Sequence, residues 1–199
     1  RSSRSQPEYS SDYSLAIILA CTVMLWRVLV LIAVFSVPLA WGLVPSMLLM
    51  SLPGIAFAVF HLLSKRAGES VTHTQESYKN PLSLKIAIQF ALLYALIVFA
   101  VKATGQSFGD AGVYVVSFLS GLTDLDAIAL TLSQTAAAGT TPVQAAAAGI
   151  VIAGCANSLL KAGLALSLGS PELRIRVAVV LGATVAIGAG CAFWLALGS

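Results

Sequence analysis

Charge is scarce in this chain. Lys, Arg, Asp and Glu make up 10% of the 199 residues, against 58% hydrophobic ones, whereas a soluble domain carries roughly 25% charged residues. That shortage excludes an ordinary water-soluble globule. With a mean hydropathy of +0.93, it marks an integral membrane protein. The formal net charge of +3 is small and its cations are spread along the chain. The basic patch that nucleic-acid binding needs is therefore missing. Cysteine is sparse too: Cys21, Cys155 and Cys191 all lie in apolar runs, and an odd number argues for reduced thiols rather than a disulfide framework. The two histidines, His61 and His73, border or occupy a polar loop. No CxxC or HExxH spacing is present, so neither histidine is assigned to a metal. With no convincing nucleophile–base or metal-hydrolase motif, the expectation is a non-enzyme without a cofactor. The start, RSSRSQPEYSSDYS, has no initiator Met and no charged-then-apolar signal pattern. Residues 1–12 are thus expected to be a polar, truncated or processed boundary rather than a targeting peptide.

What the chain has in abundance is long apolar runs. A membrane helix needs about 20 mostly apolar residues. Six segments meet that measure, near 13–37, 39–63, 83–103, 111–134, 143–168 and 174–198. They predict one all-α polytopic membrane domain over 13–199, interrupted by a polar loop at 64–81. Pro38 falls where one helix should end and the next begin. Pro45 and Pro53 predict a kinked or interrupted second helix, because proline removes a backbone bond. Pro142, after Thr140-Thr141, is a helix-start signal.

Against this background, a few polar side chains stand out. Asp124 and Asp126 lie in the middle of GVYVVSFLSGLTDLDAIALTLSQ, Asn157 and Lys161 in GIVIAGCANSLLKAGLALSLG, and Arg27 in LAIILACTVMLWRVLVLIAVF. A carboxylate at bilayer depth is costly unless paired, hydrated or neutralised, so such residues are usually kept for ion or proton pathways. Ser117, Ser120, Asp124 and Thr131 recur at helical spacing. Thr123, Asp126 and Ser133 fall on another side, since residues i and i+2 diverge by about 200° on a helix. If the helix unwinds near Ser120-Gly121, both carboxylates, Ser120, Thr123 and freed carbonyls could surround a cation, with Asn157 adding a polar ligand. Oxygen ligands of this kind suit hard cations such as Mg²⁺, Ca²⁺ or Na⁺. Lys161 and Arg27 would balance charge or couple transport. The alternative is that each aspartate pairs with Arg27 or Lys161 and simply locks the bundle; Lys161 could equally snorkel toward a membrane face. Ala145, Gly149, Ala153, Asn157 and Lys161 form an i+4 line that lets a neighbouring helix approach closely. Gly182, Ala186 and Gly190 form a second small-residue ridge, a packing face within the fold or in a homodimer.

An internal repeat is also visible. At an offset of 134, Ile18, Cys21, Leu25, Arg27 and Ser36 meet Ile152, Cys155, Leu159, Lys161 and Ser170. Positive charge gathers at Arg1 and Arg4, at Lys65, Arg66, Lys79 and Lys85, and at Arg174 and Arg176. The positive-inside rule wants all three groups on the cytoplasmic side. Six full crossings would not allow it. If segment four enters and leaves on one side, the three agree, and segments one and five become antiparallel. That is the geometry of an inverted repeat with a broken or re-entrant helix around 117–127.

Asn80-Pro81, Gly109-Asp110-Ala111-Gly112, the run SGLTDLDA at Ser120–Ala127, Asn157 with Lys161, and ILACTVMLWRVLVL around Arg27 carry a family resemblance over most of the chain. It resembles the C-terminal membrane domain of unknown function that follows the MgtC/SapB domain in many bacterial inner-membrane proteins. The resemblance implies a multi-pass inner-membrane location and a magnesium-transport association taken from the neighbouring domain. It also implies an upstream Ser-Ser-Thr-Ala-type segment as counterpart of segment four, absent from these 199 residues. The functional expectation is a transporter or channel domain for a small inorganic cation such as Mg²⁺. The alternative is a non-transporting regulatory or assembly subunit whose membrane charges are structural pairs.

Overall fold

The computed structural model describes residues 10–65, 92, 95, 99 and 110–197. Among these the chain is helical apart from short turns: α1 (Ser10–Phe35), α2 (Val37–Lys65), α3 (Asp110–Thr123), α4 (Leu125–Ala137), α5 (Val143–Leu168) and α6 (Pro171–Leu197). Four of them, α1, α2, α5 and α6, are long and apolar enough to cross a membrane. The all-α membrane bundle expected from composition is the fold. The third predicted segment apart from residues 92, 95 and 99, and residues 66–81 of the predicted polar loop 64–81, with His73 and Asn80-Pro81, lie outside the described residues.

Two helical hairpins form the frame. α1 and α2 are joined through the single non-helical residue Ser36, one residue before Val37-Pro38. The Ala40 N–H donates to the Ser36 carbonyl at 3.0 Å. α5 and α6 are joined through Gly169 and Ser170, where the Arg174 N–H donates to the Ser170 carbonyl at 2.9 Å. The two turns are therefore built alike, 134 residues apart. The residue matches along α1 and α5 do not carry over: Leu25 is 2% exposed and Leu159 is 51% exposed. α2 runs unbroken through Pro45 and Pro53, against the expectation of a possible interruption. Proline removes only its own N–H, and a membrane helix re-satisfies the freed carbonyl within the surrounding bundle.

The direction of each helix follows from who packs with whom. One cluster joins Ile18 and Cys21 of early α1 to Ala162 and Ala165 of late α5 and to Leu173 and Val177 of early α6, with Phe57 of late α2 against it. The other joins late α1 and early α2 to early α5 and late α6, together with α3 and α4. α1 and α5 are thus antiparallel. The start of α1, the end of α2 and the Arg174–Arg176 turn all lie at one end of the bundle.

α3 and α4 meet at Asp124 and fold back on each other. Gly149 of α5 faces Val113 and Ser117 of α3 and also Leu132 of α4. A straight helix would put residues 117 and 132 about 22 Å apart at 1.5 Å per residue, too far for one glycine to touch both. Lower down, Gly121 lies against the backbone of Ala153, in the middle turn of α5. The pair therefore enters from the end opposite the basic one, reaches mid-depth and returns. Its exit is a Schellman turn, in which Gly139 at φ 69° takes the left-handed conformation that glycine adopts freely. The Gly139 and Thr140 N–H groups donate to the Ala136 and Thr135 carbonyls.

The i+4 line on α5 is a packing face, as its small residues imply: Ala145 and Ala153 are fully buried. The ridge on α6 is not. Gly182, Ala186 and Gly190 are exposed, and a Cβ at Gly182 or Gly190 would meet nothing within 4 Å. The ridge does not pack within the described fold. A Cβ on Gly121 would stand 2.4 Å from the Ala153 carbonyl oxygen. Gly121→Ala is therefore expected to lower thermal stability by about 1–3 kcal/mol, the usual range for overpacking. Gly182→Ala, with the same gain in helix propensity, should be neutral or slightly stabilising. Equal melting shifts for the two variants in detergent would refute the close α3–α5 contact.

Candidate functional site

The site is the break itself. Asp124 has extended backbone (φ −152°, ψ 113°) and is the N-cap of α4, its Oδ1 accepting the Asp126 N–H at 2.9 Å and the Ala127 N–H at 3.4 Å. A capping carboxylate satisfies donors that a helix start leaves orphaned and sits at the positive end of the helix dipole. On the other side of the break, the Ser120 carbonyl accepts the Asp124 N–H at 2.7 Å and the Thr123 hydroxyl at 2.8 Å. The Gly121 carbonyl, freed by the break, accepts from Nδ2 of Asn157 at 3.1 Å. Asn157 comes from the middle of α5 and is 9% exposed. It reads the end of α3 much as water would, in a place where water is scarce.

The charges distribute differently from any symmetrical arrangement. Arg27 of α1 forms an ion pair and hydrogen bond with Oδ2 of Asp126. The two side chains keep 63% and 28% of their exposure, so the pair lies on the flank of the four-helix frame. Lys161 joins neither aspartate. Its ammonium lies 3.0 Å from the Met24 sulfur, so it points across to mid-α1 rather than outward to the basic end. The reading in which Lys161 pairs with an aspartate is thus not what the structure shows; its stem starts about one turn beyond Asn157 on α5, and its ammonium is engaged at Met24, about one turn before Arg27 on α1.

Of the expected site residues, the structure brings together Asp124, Asp126, Asn157 and Arg27 around the break. Ser120 contributes its carbonyl. Thr123 is exposed and its hydroxyl is spent on that carbonyl. Two buried oxygens near the break, Oδ1 of Asp126 and Oδ1 of Asn157, have no hydrogen-bond partner among the described residues, and neither does the Ser117 hydroxyl above them. Among the described residues no three His, Cys, Asp or Glu side chains gather as metal ligands. A cation here would rest on at most two carboxylates, supplemented by amide and backbone oxygens. His61 is buried near the end of α2 and stacks on Phe57, with ring centroids 6.2 Å apart. The three cysteines are free thiols.

With this geometry in hand, the comparisons become informative. The family model described as "Domain of unknown function (DUF4010)" matches residues 1–169. The chain belongs to this family. The match takes in both hairpin turns' first partners, the break and the Asn157–Lys161 line, and ends just before α6. A protein of Aquifex aeolicus (strain VF5), described as an uncharacterized protein, is 36% identical over 170 residues, covering 83% of this chain and 72% of its own length. No solved structure matches this DUF4010 chain.

Met24 was not among the residues singled out from sequence; Gly121 was, as the point of the break, but not the bond of its carbonyl to Asn157. Nothing local marks Met24. The capping role of Asp124 did have a signal, an aspartate directly before an apolar helical run with a second acid in the first turn. It separates cap from charge by experiment. Asparagine caps about as well as aspartate, so Asp124→Asn should leave thermal stability near that of the parent. Asp124→Ala should cost about 0.5–2 kcal/mol, the range for a lost N-cap. A larger loss in the Asn variant than in the Ala variant would show that charge, not capping, is what Asp124 supplies to the fold.

Proposed function

We propose that this domain carries a small inorganic cation across a bacterial inner membrane, with the break at Asp124 as the binding point. The observation that carries the reading is the re-entrant pair α3–α4, folded back at the mid-depth of α5. Non-helical backbone at membrane depth is tolerated where it is buried in protein or lines a cavity, and in transporters such breaks hold the substrate. Asp126 Oδ1 and Asn157 Oδ1 supply unsatisfied acceptors, which favour a cation over an anion. Asp124 and Asp126 are the proposed ligands, with Asn157 and the carbonyls of the α3 end completing the shell. Arg27 holds Asp126 when the ion is absent, and ion binding would displace that guanidinium. Mg²⁺ or another divalent ion fits the oxygen donors. Operation beside an MgtC/SapB-type domain, and as a homodimer through the exposed Gly182, Ala186 and Gly190 ridge, belongs to the same proposal. The coincidence of all three basic groups' flanking helix ends at one end of the bundle supports a cytoplasmic assignment for that end.

A second reading has its own observation. Asp124 is committed to capping α4 and Asp126 to Arg27, as expected of a regulatory or assembly subunit whose charges only fix the fold. Mg²⁺ flux into proteoliposomes, measured beside thermal stability, separates the two. For a transport site, Asp126→Asn reduces flux to background while stability changes little. For a structural pair, Asp126→Asn strands Arg27 and lowers stability, and adding Arg27→Met restores it. Flux at the parental rate in both Asp124→Asn and Asp126→Asn would eliminate the transport site.

A further inference from the structure

Sulfur side chains from α2, α5 and α6 meet on the face of α5 turned away from the break. Cys155 lies two residues before Asn157, so the two diverge by about 200° around α5. Gly188 of α6 is buried and faces this place. A Cβ there would stand within 3.2 Å of both the Cys155 Sγ and the Met50 Sδ, so the two sulfurs flank a single point. They lie no farther apart than twice that distance. Two metal–sulfur bonds of about 2.3 Å each span most of it, and the flexible stem of Met50 can close the rest. Cys191 stands one turn beyond Gly188 on the same face of α6, close enough to Cys155 for the two to interact electrostatically. Both cysteines are free and partly buried, and Met50 is 1% exposed. The Cys155 thiol reaches the Val185 carbonyl at 3.8 Å, a long contact that holds it weakly.

Thiolate and thioether are soft donors, the kind that select Cu(I). A structural Zn²⁺ site takes four thiolate, imidazole or carboxylate ligands, and among the described residues no three His, Cys, Asp or Glu side chains gather. Charge balance points the same way. When Cu(I) binds the Cys155 sulfur, the Cu–S bond forms, the S–H bond breaks, the proton leaves to solvent and the copper keeps its oxidation state. One positive charge replaces another, and the buried site stays neutral. A divalent ion exchanged for one proton would leave an unpaired charge among apolar side chains, which is costly. We infer that Cys155, Met50 and Cys191 form a binding site for one Cu(I) ion, with Cys155 as the thiolate, Met50 as the thioether and Cys191 completing the sulfur shell. The site is separate from the break at Asp124 and does not rest on the transport reading.

The test uses the full chain in detergent, without oxygen and with ascorbate, and offers Cu(I) as its bathocuproine disulfonate complex. The parent and Cys21→Ser proteins should each withdraw one Cu(I) per chain, release one proton per ion and melt at a higher temperature. X-ray absorption at the copper edge should show sulfur donors. Cys155→Ser should lose this tight equivalent. Met50→Leu, which nearly conserves volume, should weaken binding by about 10–100-fold, at least what the loss of an outer-shell partner costs, while melting near the parent in the absence of copper. Gly188→Ala should weaken it as well, because its Cβ takes the place of the ion; if that variant fails to fold, Met50→Leu decides. Copper left with the chelator by the parent would overturn the inference. So would copper taken as tightly by Cys155→Ser and Met50→Leu as by the parent, which would show general binding to the chain. Zn²⁺ held as tightly as Cu(I), or nitrogen and oxygen donors in the absorption spectrum, would overturn it too.

Discussion

A helix broken inside a bilayer leaves backbone groups that lipid cannot satisfy, and the rest of this structure is arranged around meeting that demand. Each orphaned N–H or C=O in hydrocarbon costs several kcal/mol. Here the start of α4 is met by the Asp124 carboxylate and the end of α3 by the Asn157 amide. The close approach of Gly121 to Ala153 sets the distance at which the Asn157 bond can form. Small residues, one amide and one carboxylate together make a re-entrant turn tolerable at mid-depth.

The topology follows from that turn. Because α3 and α4 return to the side they came from, α5 starts opposite the basic end and α6 starts on it. The hairpins α1–α2 and α5–α6 then stand antiparallel, each turned at a serine. Their likeness holds for the turn and the direction of the helices and stops at the side chains, where Leu25 and Leu159 have opposite surroundings. The burial of α5 is set by contacts with α3, α4 and α6 together, so its inward face need not match that of α1.

The ionisable groups divide into two kinds of environment. Asp126 has a guanidinium on one oxygen and no hydrogen-bond partner among the described residues on the other. Among the described residues, Lys161 has the Met24 thioether as its hydrogen-bond partner, a weak acceptor for a group with three donors.

Composition and run length by themselves determined the class and the long apolar helices α1, α2, α5 and α6, whereas a break near Gly121 was legible only as one of two readings, a continuous helix being the other. These depend on hydrophobic spacing and on residues whose backbone preferences are local. The basic groups, read with the positive-inside rule, also pointed to the antiparallel relation of α1 and α5. Which cation meets which acid was not legible. Arg27 and Lys161 sit at equivalent offsets in two similar apolar runs, and only the rotation of α1 and α5 about their own axes sends one to Asp126 and the other to Met24. The role of Asp124 as cap and the Asn157–Gly121 bond likewise arose from contacts between helices far apart in sequence. Pairing in a bundle is decided by axial rotation and depth, and a hydropathy pattern that is apolar on every side leaves both of those undetermined.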